Sequence, residues 1–286
     1  MSARFLLTGT TGQLGWELWR TLGVLGEVHA LDETKLDLAN EAAIREAVRA
    51  LRPTHVVNPA AYTAVDKAES AREAAFAVNA NAVRILAEEA LAVGARMVHF
   101  STDYVFDGSS STPYRESDPT GPISVYGASK LAGEEALVAS GVSALCFRTS
   151  WVYAARGQNF LRTMLRVARA GNPLRVVSDQ VGAPTWARAL AEAVTVAIAR
   201  DAFTTEAPVF HLSGGGSCSW YDFAKRIFEL AALEVDLTPI PTSAYPTPAK
   251  RPAFSLLDSG RTARELGVAL PDWEESLRLV DPASVV

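Results

Sequence analysis

Tyr126 and Lys130 lie four residues apart in the run Ser-Val-Tyr-Gly-Ala-Ser-Lys at positions 124–130. At this spacing both side chains lie on one face of a helix. A phenol has an unperturbed pKa of ~10, and a cation held beside it favours the phenolate and lowers that pKa. The pair could therefore give and regain a proton near neutral pH. Because the same spacing occurs by chance on solvated helices, this interpretation depends on the other motifs of the chain.

A glycine-rich turn follows the first apolar run. Gly9, Gly12 and Gly15 recur at every third position, with Gln13 and Leu14 between the last two. Glycines at a strand-to-helix turn let the backbone approach a pyrophosphate, and the N–H groups of the helix N-terminus attract its negative charge. The pattern favours dinucleotide binding over an ordinary tight turn.

Polar residues at the ends of later strands could contact the rest of a dinucleotide. Asp32 ends the second predicted strand, where a carboxylate would bind the adenosine ribose and repel a 2′-phosphate, which favours NADH. A surface aspartate without this role is the alternative. Asp37, followed by Leu38, is a candidate for the adenine amino group. The remaining predicted cofactor contacts are Ala61, Tyr62, Thr63 and Ser101.

Hydroxyl groups end the fourth predicted strand, where Thr102 is followed by Asp103 and Tyr104. Ligands bind at the carboxyl ends of strands in parallel sheets. Thr102 could therefore donate a hydrogen bond to the same oxygen that Tyr126 protonates. Capping of the following turn is the alternative role for this hydroxyl.

The elements that position these residues alternate between short apolar runs and helical patterns. The predicted strands are residues 4–8, 28–32, 55–60, 96–102 and 144–150, and the predicted helices are residues 13–22, 42–51, 73–93 and 125–139. This alternation predicts an α/β fold with a doubly wound parallel Rossmann sheet. Within the helix at 73–93, Asn79 could tie the helix to the active-site strand or act as a cap.

The second half is less regular and predicts a smaller, mostly C-terminal substrate-binding lobe. Helices are predicted at residues 160–170, 186–200 and 219–233 and a strand at 209–212, and prolines crowd residues 239–252, which predicts an ordered loop. We expect residues 1–150 to form the dinucleotide-binding Rossmann domain, with part of 174–214 completing its sheet. Residues 151–286 would form the remainder, chiefly the substrate-binding lobe.

Composition excludes several classes of protein. The 286 residues carry a net charge of -5, and 49% are hydrophobic, which is ample for a large core. Charges of both signs are interspersed, so nucleic-acid and membrane-surface roles have little electrostatic support. The two cysteines, Cys146 and Cys218, and the lack of a long apolar segment indicate a cytoplasmic protein with reduced thiols.

Together, these motifs resemble the extended short-chain dehydrogenase/reductase family, which uses the glycine turn, the strand-end Ser/Thr and Tyr-x-x-x-Lys in this order. Further matching segments are residues 12–18, 63–69, 101–106, 148–153, 179–185 and 251–252. They are most similar to members that reduce the 4-keto group of dTDP-4-dehydro-L-rhamnose with NADPH or NADH. The choice between the two cofactors stays open.

The resemblance implies a role for each catalytic residue. Tyr126 would protonate the forming C4 alkoxide while the nicotinamide delivers hydride to carbon. Lys130 would hold the nicotinamide ribose and lower the phenol pKa, and Thr102 would orient the carbonyl oxygen.

The resemblance also implies the substrate contacts. Asp103 and Trp151 would lie against the deoxysugar, with Tyr104 nearby; core burial is the alternative for Trp151. Arg251 is a candidate for the substrate diphosphate, because arginine suits bidentate phosphate recognition. A surface ion pair is the alternative for this arginine.

A metal site is not expected. Some family members pair through carboxylates around a divalent metal, and Glu17 matches one such position, but Arg188 stands where another acid is found. This difference predicts a magnesium-independent protein and leaves monomer or homodimer open.

Two other functions compete with the reductase. A nucleotide-sugar epimerase or dehydratase shares the fold, but the dehydratase pattern has a second acid where this chain has Tyr104. A non-catalytic regulatory subunit is the other, since a family relative is a regulatory partner of methionine adenosyltransferase.

Overall fold

The structure, a computed structural model, describes residues 3–285. The strands are β1 Ala3–Leu7, β2 Gly26–Ala30, β3 His55–Asn58, β4 Arg96–Thr102, β5 Ala144–Thr149, β6 Val152–Tyr153, β7 Leu174–Val177, β8 Val181–Gly182, β9 Thr185–Trp186, β10 Val209–His211, β11 Cys218–Ser219 and β12 Leu237–Ile240. The α-helices are α1 Gln13–Leu22, α2 Glu41–Leu51, α3 Val65–Ala68, α4 Arg72–Phe76, α5 Ala82–Val93, α6 Val125–Ser140, α7 Phe160–Arg169, α8 Ala187–Ala199, α9 Trp220–Leu230, α10 Gly260–Leu266 and α11 Trp273–Val280.

Six strands form one parallel sheet in the order β10-β5-β4-β3-β1-β2. The chain runs outward from β1 to β2 and then returns to the other side of β1 as β3. This reversal creates a topological switch point between β1 and β3, where ligands bind outside the carboxyl ends of the strands. The predicted α/β, doubly wound parallel fold is confirmed.

Apolar layers cover both faces of this sheet, which explains the near-continuous apolar runs of its strands. On one face, Leu18 of α1 and Val194 of α8 belong to a buried cluster with Phe5 of β1. On the other face, Ile44 of α2 and Leu86 of α5 are buried with the neighbouring strands. The strand ends that carry the site therefore rest on a rigid scaffold.

A separate apolar cluster lies within the second half of the chain. It is built mainly from α7, α9 and α11, with Leu161, Phe223, Ile227 and Leu277 fully buried. The second half of the chain therefore has an apolar core distinct from the two layers on the parallel sheet.

The helix predicted at residues 73–93 contains a π-helical turn at Ala77–Asn81, between α4 and α5. Such turns are frequent at functional sites. Here the turn carries Asn79, whose side chain is buried. A Cβ at Gly133 of α6 would overlap the Asn79 carbonyl oxygen, so the absence of a side chain lets α6 approach the turn closely.

The proline-rich stretch is not wholly the loop that was expected. Residues Leu237–Ile240, which include Pro239, form β12 and pair with β7 in a two-stranded parallel sheet. A proline is tolerated there because an edge strand leaves one side of its backbone unpaired. Within residues 3–285, no helix is long and apolar enough to cross a membrane.

Candidate active site

A cavity of about 510 Å³ opens at the switch point, outside the carboxyl ends of β1, β3 and β4. The predicted cofactor residues that line it are Gly9, Gly12, Gln13, Leu14, Gly15, Asp37, Leu38, Ala61, Tyr62, Thr63, Ser101, Tyr126 and Lys130. The fold thus brings together segments that are more than 100 residues apart in sequence.

The glycine turn has the shape of a cradle. Gly9 has φ +59°, and a Cβ there would lie 2.9 Å from the Cα of Ala60. A Cβ at Gly15 would overlap the Gly9 carbonyl oxygen. Gly12 begins α1 without a side-chain cap, so first-turn N–H groups are left for an anion. These features fit the diphosphate of a dinucleotide.

Asp32 is the predicted cofactor residue that does not line the cavity. Its carboxylate accepts hydrogen bonds from the Thr34 hydroxyl at 2.6 Å and the Thr34 backbone N–H at 3.0 Å. These bonds lower the pKa of Asp32. Glu33 lines the cavity in its place. The role of Asp32 towards the adenosine ribose, and the preference for NADH that rests on it, stay a prediction.

Helix α6 begins at Val125 and is capped by Ser124, whose hydroxyl accepts a hydrogen bond from Gly127 N at 3.2 Å. Tyr126 follows in the first turn. Lys130 is 2% exposed, and its Nζ donates to the carbonyl oxygen of Phe100 on β4 at 2.6 Å. This bond holds the ammonium at the sheet edge.

The pKa values of the pair differ from the sequence-based expectation. Desolvation raises the pKa of the Tyr126 phenol to about 12, although a hydrogen bond with Thr102 opposes the rise. Desolvation also lowers the pKa of Lys130 to about 8. The lowering of the phenol pKa expected from Lys130 is thus not seen, because burial disfavours the phenolate more than its surroundings favour it.

Thr102 has the capping role that was the alternative for its hydroxyl, and its role towards the oxygen protonated by Tyr126 stays a prediction. Its hydroxyl accepts a hydrogen bond from Tyr104 N at 3.2 Å and so caps the turn Asp103–Val105. The same hydroxyl donates to the Asp103 carboxylate at 3.0 Å and lies beside Tyr126. Burial raises the pKa of Asp103 to about 7. The Tyr104 ring meets that of Tyr126 edge-on, with 6.0 Å between ring centroids.

Asn79 connects Tyr62, which lines the first cavity, to helix α6. Its side-chain oxygen accepts from Tyr62 N at 2.8 Å, and its amide donates to the Tyr62 carbonyl at 3.1 Å and the Ser129 hydroxyl at 2.9 Å. The polar residue in the apolar helix is therefore a connector rather than a cap.

A second cavity of about 480 Å³ lies between α7, β7 and the proline-rich stretch. Arg251 lines it, together with aromatic residues that the sequence did not single out, namely Phe160, Trp220 and Tyr245. Trp151, at φ +46°, stacks face to face on Trp220 with 3.5 Å between ring centroids.

The loop before α7 also contributes to the first cavity, which the sequence did not predict. Gly157 and Gln158 line that cavity. Asn159 donates to the Gln13 side chain at 2.8 Å and caps α7. The cap could have been inferred from its position before an apolar helix, but the approach to the glycine turn had no local signal.

No group of three or more His, Cys, Asp or Glu residues that could hold a metal occurs among residues 3–285. Arg188 forms an ion pair with Glu192 on α8 at 3.2 Å. Magnesium independence stays a prediction.

A Rossmann sheet with a dinucleotide cradle at its switch point, facing a Tyr-x-x-x-Lys helix, is the architecture of an extended short-chain dehydrogenase/reductase. Comparison with known proteins narrows this class. The family model described as RmlD substrate binding domain matches residues 3–282.

Individual relatives match over nearly their whole length. The chain is 47% identical to the dTDP-4-dehydrorhamnose reductase of Burkholderia thailandensis, over 96% of this chain and 97% of the relative. It is 46% identical to that of Escherichia coli K12, over 96% and 95%. The structure of dTDP-4-dehydrorhamnose reductase from Bacillus anthracis in complex with NADP has a TM-score of 0.92 at 36% identity, over 98% and 99% of the two chains. The chain therefore belongs to the dTDP-4-dehydrorhamnose reductase family.

Proposed function

We propose that the protein reduces the 4-keto group of dTDP-4-dehydro-L-rhamnose to give dTDP-L-rhamnose, with NADPH or NADH as the reductant. The observation that carries the proposal is the meeting of Tyr126, Lys130 and Thr102 at the edge of a cavity with a dinucleotide cradle. Relatives at 46–47% identity that are named for this reaction support the choice of substrate.

The first cavity would hold the cofactor. The turn Gly9–Gly15 would bind its diphosphate, Asp37 and Leu38 its adenosine end, and residues 61–63 with Ser101 the remainder. Lys130 would hold the nicotinamide ribose. The reduced nicotinamide, when bound, supplies a hydride to C4 of the sugar.

Tyr126 would donate its phenolic proton to the C4 oxygen as the C–H bond forms. With a pKa of about 12 the phenol is protonated at neutral pH, as a general acid must be. Thr102 would turn its hydroxyl away from Asp103 and donate a second hydrogen bond to the same oxygen. Lys130, with a pKa of about 8, is mostly cationic at pH 7 and would stabilise the phenolate that remains.

The substrate would extend from this point towards the second cavity. Asp103 and Trp151 would contact the deoxysugar beside Tyr104, and Arg251 its diphosphate. The nucleoside would occupy the aromatic part of the second cavity, near Phe160. In this proposal residues 1–150 chiefly bind the cofactor and residues 151–286 chiefly bind the substrate.

The test is to measure nicotinamide absorbance over time for the purified protein with dTDP-4-dehydro-L-rhamnose, with NADPH and NADH in separate reactions. We expect stoichiometric oxidation of at least one cofactor and dTDP-L-rhamnose as the product by NMR. Cofactor bound but not consumed would indicate an epimerase instead. Binding of a stoichiometric protein partner without turnover would indicate a regulatory subunit, and either result would refute the proposal.

A further inference from the structure

A bidentate ion pair between Asp66 and Arg251 connects segments that contribute to the two cavities. Nη2 of Arg251 lies 2.8 Å from Oδ2 of Asp66, and Nη1 lies 3.1 Å from Oδ1. Asp66 belongs to α3, which begins two residues after Thr63 of the cofactor cavity. Arg251 lines the second cavity. One side-chain pair thus connects the cofactor-binding segment to the proposed substrate diphosphate site.

Asp66 also holds the backbone next to Arg251. Its Oδ1 accepts a hydrogen bond from Ala249 N at 3.1 Å, while Nη1 of Arg251 donates to the Ala249 carbonyl at 3.2 Å. The carboxylate therefore orders both the guanidinium and the loop that carries it. That loop also supplies Tyr245 and Thr247 to the second cavity.

The geometry leaves donors for a ligand. A guanidinium has five N–H groups, and the bonds to Asp66 and Ala249 use three of them. The Nε–H and one Nη2–H therefore remain. The charge of Arg251 opposes the rise in the pKa of Tyr104 that burial causes, and the Tyr104 ring contacts that of Tyr126.

An ordinary exposed ion pair contributes little, but this one differs from such a pair. It is bidentate, its arginine side chain is 23% exposed, and its members are 185 residues apart. A bidentate arginine that is already held in place loses less conformational freedom when it binds an anion. Pre-ordering therefore favours a diphosphate even though Asp66 offsets part of the positive charge.

We infer that Asp66 is a positioning residue for the nucleotide sugar, which holds Arg251 in the orientation that binds the substrate diphosphate. This inference rests on the proposed function, because it deepens the role given there to Arg251. Asp66 does not touch the reacting atoms in this scheme. Its effect should therefore appear in substrate affinity and not in cofactor affinity.

The experiment measures binding of dTDP and of thymidine to the full chain by isothermal titration calorimetry. Asp66→Asn should weaken dTDP binding by about tenfold, the effect of losing about one charge-assisted hydrogen bond. Thymidine binding and the KM for NADPH should stay within about twofold, because thymidine has no phosphate and the diphosphate of NADPH would bind at the glycine turn, away from Arg251. The control is Glu192→Gln, which removes an exposed ion pair on α8 and should change nothing.

A double-mutant cycle tests whether Asp66 acts through Arg251. Arg251→Gln alone should weaken dTDP binding at least as much as Asp66→Asn. Adding Asp66→Asn to Arg251→Gln should then have no further effect. Should Asp66→Asn not fold, Asp66→Glu replaces it, because it keeps the charge but moves the carboxylate by one methylene, and it should weaken dTDP binding in the same direction.

Three results would overturn the inference. The first is dTDP binding by Asp66→Asn that is as tight as in the wild type, or tighter. The second is a loss of dTDP affinity on adding Asp66→Asn to Arg251→Gln that equals the loss in the wild-type background, and the third is a loss of thymidine affinity as large as the loss of dTDP affinity. Wild-type protein is assayed for turnover in the same series. Failure of the wild type to reduce dTDP-4-dehydro-L-rhamnose would refute the proposed function, whereas an active wild type with unaltered dTDP binding in Asp66→Asn would refute only the role of Asp66.

Discussion

Replacing Tyr126 by phenylalanine removes the proposed proton donor and little else. The ring that meets Tyr104 edge-on is retained, so the shape of the cavity should persist. The phenol has a pKa of about 12 and is thus a competent acid throughout the neutral range. Loss of a general acid typically lowers the rate by about 10²–10⁴, which corresponds to roughly 3–5 kcal/mol of barrier. Thr102 would remain as a donor to the C4 oxygen, so some turnover should survive.

The assay compares kcat from nicotinamide absorbance with cofactor affinity from fluorescence quenching. We expect kcat to fall in that range while the Kd for NADPH stays within about twofold. Tyr153→Phe is the matched control, because Tyr153 is a buried tyrosine in the apolar cluster of α7, α9 and α11 and does not line the first cavity. A Tyr126→Phe protein within twofold of wild type, or about 0.4 kcal/mol, would show that this phenol is not the acid.

Three further predictions concern the cofactor cradle, the catalytic lysine and metals. Gly15→Ala should lower NADPH affinity by at least about tenfold, because the added methyl group would overlap the Gly9 carbonyl oxygen. Titration calorimetry measures the affinity, and an unchanged value would contradict the role of the glycine turn in binding the cofactor. Lys130 is cationic below its pKa of about 8, so kcat/KM should decline as the pH rises through that value. A profile of kcat/KM that stays flat to pH 10, about two units higher, would argue against a role for the charge of Lys130. Excess chelator should leave the reduction rate unchanged, and a chelator-dependent loss that magnesium restores would reveal a metal requirement.

Local sequence patterns were sufficient for the elements of the Rossmann sheet. Its central strands are largely apolar because helices cover both faces, and this property is visible in a few consecutive residues. The glycine spacing and the Tyr126/Lys130 spacing are equally local, since each depends on the geometry of a single turn or helix. The strand predicted at 28–32 nevertheless lies at Gly26–Ala30, because strand ends depend on pairing with β1.

The direction in which a pKa moves could not be inferred from neighbours in sequence. Lys130 is four residues from Tyr126, which suggested a lowered phenol pKa. In the folded chain the Lys130 ammonium donates to the Phe100 carbonyl, and desolvation dominates the pKa of Tyr126. Burial is a property of the whole packed site, so no local pattern reports it.

The amino-acid sequence by itself determined the fold class, the dinucleotide turn and the tyrosine–lysine pair, because these follow from residue type and short-range periodicity. Only the tertiary structure decided that Asp32 accepts a hydrogen bond from Thr34, that Trp151 stacks on Trp220, and that Arg251 forms an ion pair with Asp66. The last two contacts join residues far apart in the chain, and even the first depends on the path of the chain after β2. Their geometry is set by the packing of elements from both halves of the chain, which no single segment encodes.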